Sequence, residues 1–334
     1  MRITRETLTK AARDFAKQRS QSDRRLVCIY LTGSLLEEEP LLGGTTDIDL
    51  VVVHDDEPPI NREIVRLTDE VHIDVAHRSA ADYRQPRHLR LDPWLGAFLC
   101  QNPIVLYDTQ HWFEFTQAGV CAQFYQPDYV LQRARPLAES ARQKWMELHN
   151  AEYNPGPIKL LAYLKALENA ANSIACLNGV PLTERRFMVN FPDRAQAIQR
   201  PGLSAGLLDL FLNQPISDED WLAWLKNWKI ALKTASQMEN CPPRIHPCRE
   251  LYYERAIETL KTDNLGSAMW ILLRTWTLAL LCLANNESSN QAWQKACQKL
   301  ALDETQFEPR IVALDAYLDS VEEALDVWSA QMGI

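Results

Sequence analysis

Two periodicities divide this sequence and predict its fold class: an α/β layer, a mixed β-sheet with flanking helices, followed by an all-α region. Short apolar runs of strand length alternate with helical stretches over the first 110 or so residues, the pattern of a layered α/β unit. After about Ala118 no convincing strand pattern remains and helical spacing prevails. A chain of 334 residues with 46% hydrophobic residues can bury two cores. The expected domains are therefore 1–118 and 119–334, with a break inside the second near 240–248, where Pro242, Pro243 and Pro247 interrupt the helical pattern.

The elements follow in order. Leu8, Ala11, Ala12 and Phe15 lie on one side of a helix over 7–17. The apolar run 26–31 reads as a buried strand ending at Gly33-Ser34, and a short helix from there stops at Pro40. Gly43 and Gly44 return the chain to a strand over 47–53. Pro58, Pro59 and Asn61 announce a helix over 61–70, before a strand over 71–76 and an edge strand over 103–107. In the second region helices are expected over 128–150, 157–177, 218–238, 249–262, 265–284, 290–301 and 309–331.

Composition narrows the classes of function. A net charge of -9 and a pI near 5.4 argue against a dedicated nucleic-acid binder, whose affinity rests on neutralising phosphates. No apolar run follows Met1-Arg2-Ile3-Thr4-Arg5-Glu6, so no signal peptide is expected and a cytoplasmic location is. The most apolar stretch, 268–284, is interrupted by Arg274 and reads as a buried helix, with no membrane span expected. The eight cysteines sit among apolar neighbours and read as reduced core thiols. Cys241, His246 and Cys248 read as part of a proline-rich linker rather than a zinc knuckle. Trp221, Trp224 and Trp228, at helical spacing, read as packing residues.

The chemistry is concentrated between Leu31 and Val75. A strand alternates its side chains, so Asp47 and Asp49 share one face while Ile48 and Leu50 point into the core. Their Cα atoms are then about 7 Å apart, close enough to bracket divalent cations. Ile73 and Val75 face inward in the later strand, which leaves Asp74 on the other side with His72 near it. If the two strands pair, three carboxylates crowd together and repel unless cations neutralise them. Oxygen-only ligands suit Mg²⁺, which keeps waters and substrate phosphates in its shell. Gly33 lets the backbone approach phosphate oxygens, and Ser34 offers a hydroxyl and a backbone N–H. Asp74 is the candidate general base, or the ligand that orients the acceptor oxygen.

The run from Leu31 to Val75 resembles the DNA polymerase β-type nucleotidyltransferase superfamily. Gly33 and Ser34 match its Gly-Ser, Asp47 and Asp49 its paired acids, and Asp74 its later strand acid, with a spacer of twelve residues from Leu35 to Thr46. The likeness covers roughly residues 1–110. The helical second half looks like the arrangement in small bacterial enzymes such as kanamycin nucleotidyltransferase. The resemblance implies an N-terminal nucleotidyltransferase domain and transfer of a nucleoside monophosphate from an NTP, ATP by default, to a hydroxyl. Two Mg²⁺ ions and pyrophosphate release are implied with it. A small-molecule acceptor is the first expectation; a protein side chain, a tRNA end, or NTP binding without turnover are the alternatives.

In the helical half, Lys165, Glu168, Asn169 and Asn172 form a polar stripe opposite the apolar face of their helix. Lys165 and Asn169 are read as nucleotide contacts. Thr183 is read as a helix cap, which puts Arg185 and Arg186 in a first turn where the helix dipole disfavours cations. A bound phosphate would offset that cost.

Overall fold

The computed structural model describes residues 3–239, 241–283 and 287–334, with side chains from 290 in the last segment. The expectations that touch Met1, Arg2 and Ala284 lie outside the described residues. The chain divides into two compact units, Met1–Tyr129 and Val130–Ile334, and the break expected at 118 falls inside a helix of the first.

The first unit is built on a mixed five-stranded sheet. Helix α1 (Arg5–Ser22) starts at a capping box in which Thr4 and Thr7 bond reciprocally to each other's backbone. Strand β1 (Leu26–Thr32) leads to a single 3-10 turn, Ser34–Leu36, in place of a helix reaching Pro40. Strands β2 (Thr46–His54), β3 (Arg62–Arg66) and β4 (Val71–Ser79) follow. Helices α2 (Pro86–Leu91) and α3 (Leu95–Cys100), strand β5 (Ile104–Asp108) and helix α4 (Trp112–Phe124) complete the unit. The order across the sheet is β3-β4-β2-β1-β5. Strands β2 and β4 pair in parallel and the remaining neighbours are antiparallel.

One face of the sheet is the core expected from the alternation. Ile29, Leu31, Ile48, Leu50, Val52, Ile73 and Val75 pack there with Leu8, Ala12 and Ala16 of α1, all buried. Each aliphatic side chain of that size contributes roughly 1.5–3 kcal/mol on burial. The opposite face carries Tyr30, its ring tilted against that of Phe113 of α4 with the centroids 5.0 Å apart.

Two further expectations fail in this unit. The segment 61–70 is not a helix: Arg62–Arg66 adds an edge strand to β4. Pairing with β4 and the half-burial of β-branched Ile64 and Val65 outweigh the helix-start signal of the prolines. The thiols are not all reduced either. Cys100 and Cys121 form a disulfide with a Cα separation of 5.4 Å, because α3 and α4 pack side by side. Gly96 permits that approach: a Cβ there would lie 2.8 Å from the Phe124 ring.

The second unit is helical throughout its described residues. Helices α5 (Pro127–His149), α6 (Pro157–Ala175), α7 (Phe187–Ala197), α8 (Gly202–Phe211) and α9 (Asp218–Ser236) are followed by α10 (Glu250–Asp263), α11 (Leu265–Cys282), α12 (Glu287–Lys299) and α13 (Phe307–Met332). Helix α11 packs against α6, α9 and α10. It is the one described helix long and apolar enough to cross a membrane, but 72% of it is buried inside the unit. A core helix has that character. Trp221, Trp224 and Trp228 are buried, and the Trp228 indole donates to the Thr275 hydroxyl at 2.8 Å. In the proline-rich linker, the Cys248 backbone N–H donates to His246 Nδ1 at 3.3 Å.

Candidate active site

The parallel register of β2 and β4 sets Asp49 beside Asp74 and Asp47 beside His72. Neighbours in register share a face, so the three acids meet on the side away from the aliphatic core. Carboxylate oxygens of Asp47, Asp49 and Asp74 lie within 4.8 Å of one another. Asp47 and Asp74 are buried and Asp49 half-buried. Among the described residues this is the one group of three or more acids, histidines or cysteines placed to hold a metal ion.

The turn after β1 is fitted to this cluster. Thr32 pairs with Asp49 across β1 and β2, and Gly33 follows at φ +80°, ψ -161°. That region is essentially closed to residues with a Cβ. Space forbids one as well: a Cβ on Gly33 would lie 2.0 Å from Asp49 Oδ2. Gly33 is therefore required twice, by backbone conformation and by the carboxylate over it. Ser34 begins the 3-10 turn, its hydroxyl 3.4 Å from that of Thr46.

Arg62 completes the site. Its Nε donates to Asp74 Oδ1 and its Nη2 to Asp74 Oδ2, each at 2.6 Å. Ile64 stands opposite Asp74 in the β3–β4 ladder, so Arg62, two residues away, rises on the acid face. It is missed in the sequence because 61–70 reads there as a helix. The signal that finds it is the alternation Arg62, Ile64, Arg66 around half-buried Glu63 and Val65.

Donor chemistry and packing fit a hard divalent cation. The candidate ligands are all carboxylate oxygens, as Mg²⁺ prefers. The Thr32 hydroxyl, next to Asp49 in register, is buried without a hydrogen-bond partner among the described residues. A bound ion's water shell would supply one.

The other residues read from the sequence as nucleotide contacts belong to the helical unit. Lys165 bonds to Glu168 at 3.0 Å, and Asn169 donates to Ser140 at 3.0 Å. Asn172 uses both ends of its amide on the backbone of Leu182, at 2.6 and 3.2 Å. Glu168, Asn169 and Asn172 of the stripe are buried inside the unit, while Lys165 is exposed. Thr183 makes no side-chain cap, and Glu184–Arg186 is a 3-10 turn. Arg185 is buried there, its guanidinium 3.3 Å from the Tyr252 ring centroid and donating to the Tyr252 carbonyl at 3.1 Å. Arg186 is half-buried and precedes α7.

No family model and no curated protein matches the chain. Among solved structures it is similar to a nucleotidyltransferase-like protein from Exiguobacterium sibiricum 255-15, at 10% identity, with 94% of this chain and 91% of that chain covered and a TM-score of 0.29. A likeness that loose carries no argument about activity; the acids and the turn over them carry it instead.

Proposed function

We propose that the chain is a metal-dependent nucleotidyltransferase that moves a nucleoside monophosphate, AMP by default, from an NTP to a hydroxyl of a small-molecule acceptor. One observation carries the reading: three carboxylates converge within 4.8 Å beside a turn that only glycine can make.

In this reaction the acceptor oxygen attacks the α-phosphorus, the bond between that phosphorus and its bridging oxygen breaks, and pyrophosphate leaves. Asp47, Asp49 and Asp74 would hold the two Mg²⁺ ions, which when bound acidify the acceptor hydroxyl and offset charge on the triphosphate. Gly33 leaves the backbone open to phosphate oxygens, and the Ser34 hydroxyl and N–H offer them donors. Asp74 orients the acceptor hydroxyl and takes its proton, directly or through water. Arg62 bonds to both oxygens of Asp74, which competes with their use toward an ion or the acceptor's proton. Arg62 must therefore loosen its hold as the substrates bind.

The same ion pair favours a second reading, in which the chain binds NTP without turnover because Asp74 stays tied to Arg62. Pyrophosphate release decides between them. With Mg²⁺, each NTP and a panel of polyol, protein and tRNA acceptors, release is expected from the wild type and not from Asp47→Ala. Binding of NTP with no release under any acceptor would leave the second reading standing.

A further inference from the structure

The helical unit holds a cavity of about 520 Å³ between the start of α6, helix α12 and the segment before α13. Pockets of about 300–1,000 Å³ take small organic molecules when apolar walls are combined with a few placed polar groups. This one has both. Leu160, Leu302 and Phe307 give it buried apolar surface. Along α12, Asn290, Gln294 and Gln298 recur at i, i+4 and i+8, which sets three amides in one row on the cavity's side.

Charge decides against an ionic occupant. The described lining residues include two lysines, Lys159 and Lys295, and two acids, Asp303 and Glu304, so their charges cancel. Lys159 is already engaged, its Nζ 3.2 Å from Glu304 and 4.7 Å from the centroid of the Phe307 ring. The lining therefore has no surplus charge with which to recruit a phosphate or an ammonium group.

Hydrogen bonding points to a ligand that donates. Asn290 Oδ1 and Asp303 Oδ1, on two lining residues, are buried without a hydrogen-bond partner among the described residues. The second Asp303 oxygen accepts from the Thr305 hydroxyl at 2.7 Å. An acceptor left in this way is destabilising until an O–H or N–H reaches it. Gln294 and Gln298 are exposed, and each amide offers donors as well as an acceptor.

A flat heterocycle matches this lining poorly. It forms hydrogen bonds only at its edge and uses its faces for stacking. The two aromatic side chains of the wall, Trp293 and Phe307, are only 4% and 2% exposed, and Lys159 covers the Phe307 ring. A polyhydroxylated ring fits better. Each of its hydroxyls both donates and accepts, and its C–H surface can lie on Leu160 and Leu302.

We infer that the helical unit carries a site for an uncharged polyhydroxylated ring, a monosaccharide or a cyclitol, between the amide row of α12 and the apolar wall of Leu160, Leu302 and Phe307. The site concerns this unit alone and stands whether or not the acids of the first unit transfer a nucleotide.

Saturation-transfer NMR on the full chain without divalent ions tests it, with glucose, galactose, N-acetylglucosamine, myo-inositol, adenine and inorganic phosphate as probes. At least one of the four polyols is expected to bind with a Kd below about 10 mM. The double variant Gln294→Leu/Gln298→Leu removes two exposed amides and is expected to weaken that binding by at least about tenfold. Gln132→Leu, at an exposed position of α5, should leave it unchanged. Thermal melts check the fold; should the double variant unfold, each single variant is expected to weaken binding about threefold. Hexose binding without myo-inositol binding identifies a monosaccharide site, and the reverse a cyclitol site; either supports the inference. No polyol binding up to about 10 mM, adenine or phosphate as the only probe bound, or equal polyol affinity in wild type and glutamine variants overturns it.

Discussion

Arg62 and Asp74 face each other across neighbouring strands with both guanidinium contacts at 2.6 Å, so the third acid of the cluster already has a cation. The relationship is asymmetric. Asp74 is enclosed, with 2% of its side chain exposed, while Arg62 is 40% exposed. An arginine that water can reach is one that can leave. Removing it increases the repulsion among the three carboxylates, which a bound divalent ion would offset. Arg62→Gln should lower stability in the absence of divalent ions by roughly 1–2 kcal/mol, allowing for screening at the exposed partner. Mg²⁺ should restore it, with a larger thermal shift than in the wild type and tighter Mn²⁺ binding by electron paramagnetic resonance. A variant that Mg²⁺ stabilises no more than the wild type would show that the acids do not hold the ion.

Asp49 shares the cluster but has a different cost of removal. It lies in register between Thr32 and Asp74, under the Gly33 turn. Asp49→Asn keeps the shape and removes one of the repelling charges, so the fold should be as stable as the wild type or more so. Transfer should fall by more than about 100-fold, since even partners behind a ligand are worth 10–100-fold. Pyrophosphate release and urea denaturation on the same preparation separate the two effects. An unfolded variant would make the acids structural.

Gly33 and Gly44, two of the three positive-φ glycines between β1 and β2, give a controlled comparison. Gly33 at φ +80° has Asp49 Oδ2 2.0 Å from where a Cβ would stand; Gly44 at φ +72° has nothing within 4 Å. Gly44→Ala should therefore cost only the backbone strain, about 1 kcal/mol. Gly33→Ala adds displacement of Asp49 and should cost about 1–3 kcal/mol or more while abolishing transfer. Denaturation midpoints and pyrophosphate release measure both. Equal effects at the two positions would detach Gly33 from the site.

What the sequence makes legible here is local. The alternation Asp47, Ile48, Asp49, Leu50 assigns two acids to one face before any partner strand is known, and Ile73 and Val75 do the same for Asp74. The long helices of the second unit are legible because their apolar spacing repeats over several turns. Arg62 is not, because its strand is five residues long and exists only by pairing with β4. The disulfide is invisible for the same reason: Cys100 and Cys121 are 21 residues apart and meet only once α3 lies on α4. Helices α7 and α8 escape because Pro192 interrupts one and the other is ten residues long. The polar stripe of α6 shows the remaining limit. Period identifies the face that carries Lys165, Glu168, Asn169 and Asn172, but not that Arg274, Ser140 and Leu182 wait there to receive it.

A pair of histidines makes the first unit sensitive to acid. On the core face of the sheet His54 Nε2 lies 2.9 Å from His77 Nδ1, and His77 Nε2 lies 3.3 Å from Glu63. Burial, chiefly, lowers the pKa of both rings; Arg25 and the other histidine add to this at His54 and Arg19 at His77. Asp23 opposes the shift at His54, as Glu63 does at His77. The folded state thus binds fewer protons than the unfolded chain once the pH falls below the ordinary histidine value. Stability is then full above about pH 6.5 and declines as the pH falls below it, by at most about 1.4 kcal/mol per pH unit for each ring. His77→Gln leaves a single titrating ring in the pair and should flatten the slope between about pH 6.5 and 5. Urea denaturation at a series of pH values reads it directly. A slope that His77→Gln does not change would place the acid sensitivity outside this pair of rings.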